Sequence, residues 1–312
     1  MHDIYYQFKA MDTDIEILGT CSNDMFEKHN GFENWFEYFE SICSRFSPDS
    51  ELSKLNRQPQ NTVIQIHPIL YDVLKKAVDY GYQTDFYFNP FLGTAIKALG
   101  YNRTFSEIKE CHEIKKVPYR FEWSISQPIV FLPIINGVIK KIEENIDLGG
   151  IAKGWSVDKA AAMAREQGVN SGVVNAGGDL FVWGDLEKTI GIAHPNPVYD
   201  EKDILQVKIC NGAMATSNKL YRSWLVDGEK IHHILNGNKG EPSETDIVQA
   251  TVISRSTAEA DVLAKVLCMY PFHNAVPWLN KFFPHAACIV INQKGQMAMS
   301  KSVNHYVTKV VI

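Results

Sequence analysis

The 312-residue chain lacks the cysteine pattern of a metal-binding or redox protein and the basic character of a nucleic-acid-binding protein. Its six cysteines are scattered and form no Cys-x-x-Cys pair, so we expect neither a zinc site nor a redox dithiol. We interpret them as buried free thiols in a reducing compartment. The formal net charge of −5 argues against nucleic acid as a partner.

The sequence also begins without a basic segment followed by an apolar run. We therefore expect no signal peptide, no lipoprotein or other membrane anchor, and a cytoplasmic location. Repeats, low-complexity tracts and Pro/Ser-rich linkers are absent as well. With 45% hydrophobic and 21% charged residues, the composition is that of a folded globular protein.

Apolar spacing predicts one compact α+β domain over residues 1–312. Strands are predicted at 8–17, 172–174, 180–183, 206–210, 251–254 and 287–291. Helices are predicted at 30–46, 67–82, 155–167 and 258–269, with a shorter one within 83–100 and another that follows a capping turn at 46–51 and ends near 56. The segment around 101–142 is the least patterned, and we expect it to be peripheral.

Two glycine pairs, Gly149-Gly150 and Gly177-Gly178, each follow an apolar run and precede a charged residue, Lys153 or Asp179. Paired glycines permit positive φ and let N–H groups converge on an anion. The first pair also precedes a helix, whose N-terminus favours phosphate. Tight turns without a ligand are the alternative interpretation. The spacing matches neither the Rossmann nor the P-loop motif.

The same segments carry a family resemblance. Residues 147–158 read Asp-Leu-Gly-Gly-Ile-Ala-Lys-Gly-Trp-Ser-Val-Asp, and residues 174–179 read Val-Asn-Ala-Gly-Gly-Asp. Together they resemble the two signatures of the ApbE family of FAD:protein FMN transferases. Weaker matches follow in order over about residues 8–270, at 8–13, 46–56, 88–90, 232–235 and 258–261.

The resemblance implies a T-fold-like α+β protein with mixed or antiparallel sheets and flanking helices. It implies that FAD is bound with Mg²⁺ at its pyrophosphate. The FMN half is then transferred to a Thr or Ser hydroxyl of a target flavoprotein, and AMP is released. Such chemistry needs positive charge, a metal ion and a base for the hydroxyl.

The resemblance also implies roles for individual residues. FAD would be contacted by Met11, Phe46, Phe88, Asn89, Asp147, Lys153, Gly177, Gly178 and Leu235. His233 would act as the base, and Asp261 would belong to the catalytic group. Mg²⁺ would be ligated by the carbonyl of Gly150 and the carboxylate of Asp261. Ordinary structural roles are the alternatives: Met11 in a strand core, Phe46 at a helix end, Asp147 capping its turn and His233 in an apolar strand.

Several positions depart from the family pattern. Met-Gly-Thr is Met11-Asp12-Thr13 here, Phe-Asp-Pro is Phe88-Asn89-Pro90, and Ser-Gly is Ser217-Asn218. The Asp-Pro-Arg-Thr-Gly after the histidine is replaced by Asn-Gly-Asn-Lys-Gly at 236–240.

The last helix carries Lys265 four residues after Asp261, where the family pattern has Thr. These two positions share a helical face. An ammonium group cannot ligate a cation, so we hypothesise that Lys265 weakens or replaces the metal. Three functions follow: an FMN transferase, an FAD-binding carrier or regulatory protein that has lost transfer, and a Mg-dependent FAD pyrophosphatase.

Overall fold

The computed structural model describes residues 2–21, 31–109, 114–115, 117–123, 127–185, 187–199 and 202–311. Its contacts divide the chain into two compact units. Unit one consists of Met1–Asn34, Lys153–Arg222 and Glu244–Ile312. Unit two consists of Trp35–Ala152 and Ser223–Ser243.

The helices of the described residues are α1 (Gly31–Cys43), α2 (Glu51–Asn56), α3 (Pro68–Gln83), α4 (Gly93–Ala98), α5 (Phe105–Lys109), α6 (Ala152–Glu166), α7 (Thr257–Leu267) and α8 (Phe272–Phe282). Short 3-10 turns lie at Pro133–Ile135, Pro197–Tyr199 and Lys301–His305.

The strands of the described residues are β1 (His2–Ala10), β2 (Thr13–Cys21), β3 (Val63–Gln65), β4 (Ile129–Leu132), β5 (Gly137–Lys140), β6 (Val169–Ala176), β7 (Asp179–Trp183), β8 (Lys188–Ala193), β9 (Asp203–Ile209), β10 (Gly212–Asn218), β11 (Ser223–Val226), β12 (Glu229–His232), β13 (Leu235–Asn236), β14 (Glu241–Pro242), β15 (Ile247–Ser254), β16 (Ala287–Asn292), β17 (Met297–Met299) and β18 (Val307–Val311).

Unit one is built on an eight-stranded sheet with the order β1-β2-β6-β7-β10-β15-β16-β17 and a three-stranded sheet with the order β18-β9-β8. Neighbouring strands are antiparallel. Apolar side chains of both sheets form one buried cluster, which includes Val182, Val207 and Ile253. Helix α7 packs against β10 and β15. The predicted α+β class is confirmed.

Unit two contains the sheet β3-β5-β4 and the two hairpins β11-β12 and β13-β14. Its cluster of buried residues includes Tyr101, Phe105, Ile108 and Trp224. The indole N–H of Trp224 donates to the carbonyl of Leu99 at 2.9 Å. The segment expected to be peripheral therefore contributes core residues at its beginning.

The strand predicted at 8–17 is wrong, because two strands meet there in a hairpin. Ala10 pairs with Thr13, and Met11 and Asp12 form the two-residue turn with φ 56° at both. Such turns need positive φ at both central residues and usually contain Gly or Asn. A Met-Asp pair gives no such signal.

The predicted capping turn before residue 56 is confirmed: the Ser50 side chain accepts from the Ser53 N–H at 3.0 Å, at the start of α2. The helix predicted at 30–46 is α1, but Asn30 lies outside the described residues. Helix α8 was not predicted. Pro277, which lies inside it, is a signal against a helix.

The predicted burial is confirmed for four cysteines: Cys21, Cys43, Cys268 and Cys288 are buried and form no disulfide with one another. Cys210 is partly exposed, and Cys111 lies outside the described residues. Within the described ranges, none of the helices has the length and apolar character needed to cross a membrane.

Candidate functional site

In unit one, the Met11–Asp12 turn lies beside the second glycine pair. The Gly177 N–H donates to the carbonyl of Asp14 at 3.1 Å. The hydroxyl oxygen of Ser156, which donates its proton to the Lys153 carbonyl, lies 3.6 Å from the sulfur of Met11. A side chain on Gly177 would clash with Thr13. The hairpin therefore brings Met11 to the turn that also carries the predicted glycine pair.

The second glycine pair adopts positive φ, 59° at Gly177 and 95° at Gly178. The Gly178 N–H donates to the Asn175 side chain at 2.9 Å, so both N–H groups of the pair have partners within unit one. Apart from its two chain neighbours, no atom of the described residues lies within 4 Å of where a β-carbon on Gly178 would be. The second glycine pair therefore leaves space for a ligand to approach the backbone closely, but its two N–H groups already have partners and do not serve as donors to an anion.

Lys153, in the first turn of α6, forms an ion pair with Asp179 at the start of β7. The carboxylate side chain is 3% exposed, whereas the lysine side chain is 22% exposed. The lysine is therefore held by a buried carboxylate, yet it remains accessible. The sequence placed Asp179 in a motif but gave it no role.

Asp261, on α7, adjoins this pair. Its carboxylate is buried, and Oδ2 has no hydrogen-bond partner among the described residues. Burial and the nearby Asp179 charge raise the pKa of Asp261 to about 7, while Lys153, Lys265 and the Gly154 N–H act in the opposite direction. Two carboxylates and two lysines thus influence one another inside unit one.

The approach of α6 to α7 explains this arrangement. Gly154 faces Thr257, where a β-carbon would meet the backbone. The Asp158 carboxylate accepts from the N–H groups of Thr257 at 2.7 Å and Ala258 at 3.1 Å, so α6 caps the N-terminus of α7. Sequence reasoning missed this role of Asp158, although its spacing from Gly154 puts both on one helical face.

The fit of a magnesium ion can be judged from the oxygen donors. The described residues contain no group of three or more His, Cys, Asp or Glu side chains placed to hold a metal. The buried, unpartnered Oδ2 of Asp261 fits one oxygen ligand of an ion that takes its others from phosphate and water. Gly150 belongs to unit two, at φ 97°.

In unit two, Asp147 has two internal partners. One carboxylate oxygen accepts from the Gly149 N–H at 2.8 Å, and the other lies 3.3 Å from Nε of Arg45. The Arg45 guanidinium lies 4.1 Å from the Phe46 ring centroid and 4.6 Å from that of Tyr101. Asp147 therefore caps its turn, as the alternative interpretation stated. It is also connected to Phe46, because Arg45 contacts both residues. The sequence analysis gave Arg45 no role.

Phe88 and Leu235 are core residues of unit two, each 1% exposed. Asn89 is buried as well. Its amide donates to the carbonyl of Gly237 at 2.8 Å, and its carbonyl oxygen accepts from the Phe91 N–H at 2.9 Å. Asn89 thereby joins the Phe88 loop to the turn that follows Leu235.

His233 lies at a bend between β12 and β13, not within a strand as expected. The neighbouring His232 uses both ring nitrogens within unit two: Nδ1 accepts from the Ile234 N–H at 3.3 Å, and Nε2 lies 3.1 Å from the Ser243 carbonyl. His232 is thus the structural member of the pair, and His233, which is half-buried, remains the candidate base.

The structure therefore groups the predicted residues within each unit. Unit one holds Met11, Lys153, Gly177, Gly178, Asp261 and Lys265. Unit two holds Phe46, Phe88, Asn89, Asp147, Gly150, His233 and Leu235.

Curated relatives are similar over most of this chain. An FAD:protein FMN transferase of Treponema pallidum is 26% identical over 280 residues, covering 82% of this chain and 75% of that protein. One of Chlamydia trachomatis is 27% identical over 256 residues, covering 79% of this chain and 77% of that protein.

Solved structures share the fold. The ApbE protein of Thermotoga maritima gives a TM-score of 0.83 at 23% identity, covering 99% of this chain and 100% of that one. The flavin transferase ApbE of Vibrio cholerae gives 0.79 at 22% identity, covering 98% and 99%. The model of the ApbE family matches residues 11–290, and the chain therefore belongs to the ApbE family.

Proposed function

We propose that this protein is an FAD:protein FMN transferase that moves FMN from FAD to a Thr or Ser hydroxyl of a target flavoprotein and releases AMP. The observation that carries the proposal is the group formed by Lys153, Asp179 and Asp261 within unit one. Lys153 and Asp179 come from the two signature motifs, and Asp261 comes from the weaker match on α7. Similarity to the two FAD:protein FMN transferases over about four fifths of the chain supports it.

The reaction exchanges one phosphorus–oxygen bond for another. The hydroxyl oxygen of the acceptor bonds to the phosphorus of the FMN half, and the bond from that phosphorus to the bridging oxygen breaks. AMP leaves with the bridging oxygen, and His233 takes the hydroxyl proton. A positioned base and fixed positive charge are the usual contributions of a protein to phosphoryl transfer.

FAD contacts are proposed for residues of unit one and, separately, for residues of unit two. In unit one, Lys153 holds a phosphate, Met11 flanks the flavin, and the open space at Gly178 beside Gly177 admits the cofactor. In unit two, Asp147 accepts hydrogen bonds from FAD, with contributions from Phe46, Phe88 and Leu235. The described cysteines form no disulfides with one another, which favours a reducing compartment such as the cytoplasm.

Magnesium, if bound, would be held by Asp261 of unit one, and it would neutralise charge on the phosphate oxygens. Lys265 opposes its binding, because an ammonium charge close enough to lower the pKa of Asp261 also repels a cation. We therefore propose weak metal binding, with Lys265 supplying part of the missing charge. Tight, stoichiometric Mg²⁺ binding at Asp261 in a titration of the FAD-loaded protein would contradict this.

Lys265 also favours a second candidate, an FAD-binding carrier or regulatory protein without transferase activity. The third candidate, an FAD pyrophosphatase, differs only in using water as the acceptor, and a weakened metal site disfavours it.

One assay separates the three. The purified protein is incubated with FAD, Mg²⁺ and a flavoprotein domain that accepts phosphoester-linked FMN, and the products are identified by mass spectrometry. FMN on the acceptor supports the transferase, free FMN indicates a pyrophosphatase, and retained FAD indicates a carrier. His233→Asn should abolish transfer, whereas His273→Asn, on the exposed surface of α8, should not.

A further inference from the structure

Two loops of unit two are joined by side-chain amides that reach in opposite directions. Nδ2 of Asn89 donates to the carbonyl oxygen of Gly237 at 2.8 Å. Nδ2 of Asn238 donates to the carbonyl oxygen of Asp85 at 3.1 Å. Each loop thus supplies one donor and one acceptor. We call these two hydrogen bonds the amide clasp.

The orientation of the Asn89 amide is fixed by its surroundings. Oδ1 accepts from the Phe91 N–H at 2.9 Å, which leaves Nδ2 for Gly237. Reversing the amide would set two oxygens against each other. The loop around it is well defined, since Asp85 and Phe86 both adopt positive φ and the Thr84 hydroxyl accepts from the Phe88 N–H at 3.2 Å.

The opposite loop is the turn of the β13–β14 hairpin. Oδ1 of Asn236 accepts from the N–H groups of Asn238 at 3.0 Å and Lys239 at 3.2 Å, so the turn is organised internally. A β-carbon on Gly237 would clash with the carbonyl oxygens of Phe86 and Tyr87. The turn therefore lies directly on the Phe86 loop, and only glycine fits at the contact.

The clasp requires amides rather than carboxylates. An ionised Asp only accepts hydrogen bonds, so Asp at position 89 would face the Gly237 carbonyl oxygen with no donor. A buried acceptor in that position is unfavourable. The chain has Asn89 where the family pattern has Asp, and Asn236-Gly237-Asn238-Lys239 where it has Asp-Pro-Arg-Thr. The departure at position 89 and the departure at positions 236–239 both contribute to the amide clasp. We therefore interpret them as two coupled changes rather than as two separate losses of family residues.

The clasped hairpin follows directly after His233. On one side of that residue, Nε2 of His232 lies 3.1 Å from the Ser243 carbonyl. On the other side, the Ser243 N–H donates to the Ile234 carbonyl at 3.0 Å, and Leu235 pairs with Pro242. The position of the His233 bend therefore depends on the hairpin, and the hairpin is held to the Phe88 loop by the clasp.

We propose that Asn89 and Asn238 are positioning residues that hold the His233 bend for transfer, and that they act through the backbone of Gly237 and Asp85. This rests on the proposed function. Their effect is on catalytic geometry more than on FAD affinity, because a misplaced base slows the reaction while leaving the ligand bound.

The test compares Asn89→Asp and Asn238→Asp, which keep side-chain size but lose the donor, with Asn238→Gln, which keeps an amide donor. Asn274→Asp, on the exposed surface of α8, is the control. Three quantities are measured: kcat for transfer, the Kd of FAD from flavin fluorescence, and hydrogen exchange of peptides covering 231–243. Because Asn238 is exposed, its variants should fold even if Asn89→Asp does not.

We expect kcat to fall about tenfold or more in both Asp variants, with a Kd within about threefold of the original protein. Exchange in 231–243 should accelerate, and Asn238→Gln and Asn274→Asp should behave like the original protein. A raised Kd with unchanged exchange would show that Asn89 contacts FAD instead. Faster exchange with unchanged kcat would overturn the positioning role.

If the original protein binds FAD but never modifies an acceptor, the proposed function fails, and the positioning role fails with it. In that case hydrogen exchange still tests whether the amide clasp holds the 231–243 segment, since the measurement needs no turnover. Unchanged exchange in both Asp variants would overturn the clasp whatever the activity.

Discussion

Gly154 of α6 lies against Thr257 of α7: a β-carbon on Gly154 would be 2.6 Å from the carbonyl carbon of Thr257 and 2.7 Å from the nitrogen of Ala258. These neighbours are backbone atoms at a helix N-terminus, so they cannot turn aside as a side chain does. The contact sets the distance between the helices that carry Lys153 and Asp261.

Gly154→Ala should therefore separate the two helices. We expect the free energy of unfolding to fall by about 1–3 kcal/mol, the usual cost of overpacking, and the Lys153 and Asp261 charges to interact less strongly. Urea denaturation measures the first effect. Gly31→Ala is the matched control, since a β-carbon there would lie within 4 Å of no atom of the described residues other than its chain neighbours and the backbone of its own helix. Equal stability of the two variants would refute the tight contact.

Asp261 should make stability depend on pH. Its pKa of about 7 in the folded chain lies above the ordinary 3.8, so the folded state binds the proton more tightly than the unfolded state. The free energy of unfolding should therefore fall as pH rises from about 4 to about 7 and then level off. Asp261→Asn should remove that fall and be more stable than the original protein at pH 8.

Chemical denaturation across pH 4–8, in the presence of a chelator, measures this dependence. Asp72→Asn, at an exposed position of α3, is the control and should leave the profile unchanged. A profile that Asp261→Asn does not alter would show that Asp261 is ionised throughout this range.

Lys265 should govern the affinity for Mg²⁺. Lys265→Thr removes a positive charge near Asp261, so we expect the Kd of Mg²⁺ for the FAD-loaded protein to fall by about tenfold, a change of 1.4 kcal/mol. Isothermal titration calorimetry measures it without any turnover. Lys265→Arg keeps the charge and should bind Mg²⁺ as the original protein does. Equal affinities in the Thr and Arg variants would exclude an electrostatic role.

Arg45 should be needed for the Asp147 loop. Both side chains are largely buried, 6% and 11% exposed, so removing the cation leaves a carboxylate without its partner. Arg45→Met should lower the free energy of unfolding by about 3 kcal/mol and weaken FAD binding. The double variant Arg45→Met/Asp147→Asn should recover much of the stability. Arg57→Met, at an exposed position, is the control, and a similar loss there would refute the buried pair.

The glycine pairs and Lys153 could be predicted from the sequence, because turn chemistry and charge are local signals. The partner of Lys153 could not, since Asp179 reaches it only once β7 and α6 have packed. The Met11–Asp12 turn was missed because a methionine seldom adopts positive φ, so the pair lacks the glycine or asparagine that marks such a turn. In the sequence, Asn89 was interpreted as the loss of the carboxylate that the family pattern has at this position. The reason for an amide there is its hydrogen bond to the Gly237 carbonyl, which is far away in the sequence.

The pairing of β2 with β6 has a consequence for how the chain folds. Ile15 lies opposite Ala176, and all of Trp35–Ala152 is synthesised between them. The β1–β2 hairpin can form early, but β2 cannot pair with β6 until β6 has left the ribosome. Pairings so distant in sequence slow folding. During that interval β2 exposes an unpaired edge, and such an edge can pair with a second chain, which makes the incomplete chain prone to aggregate.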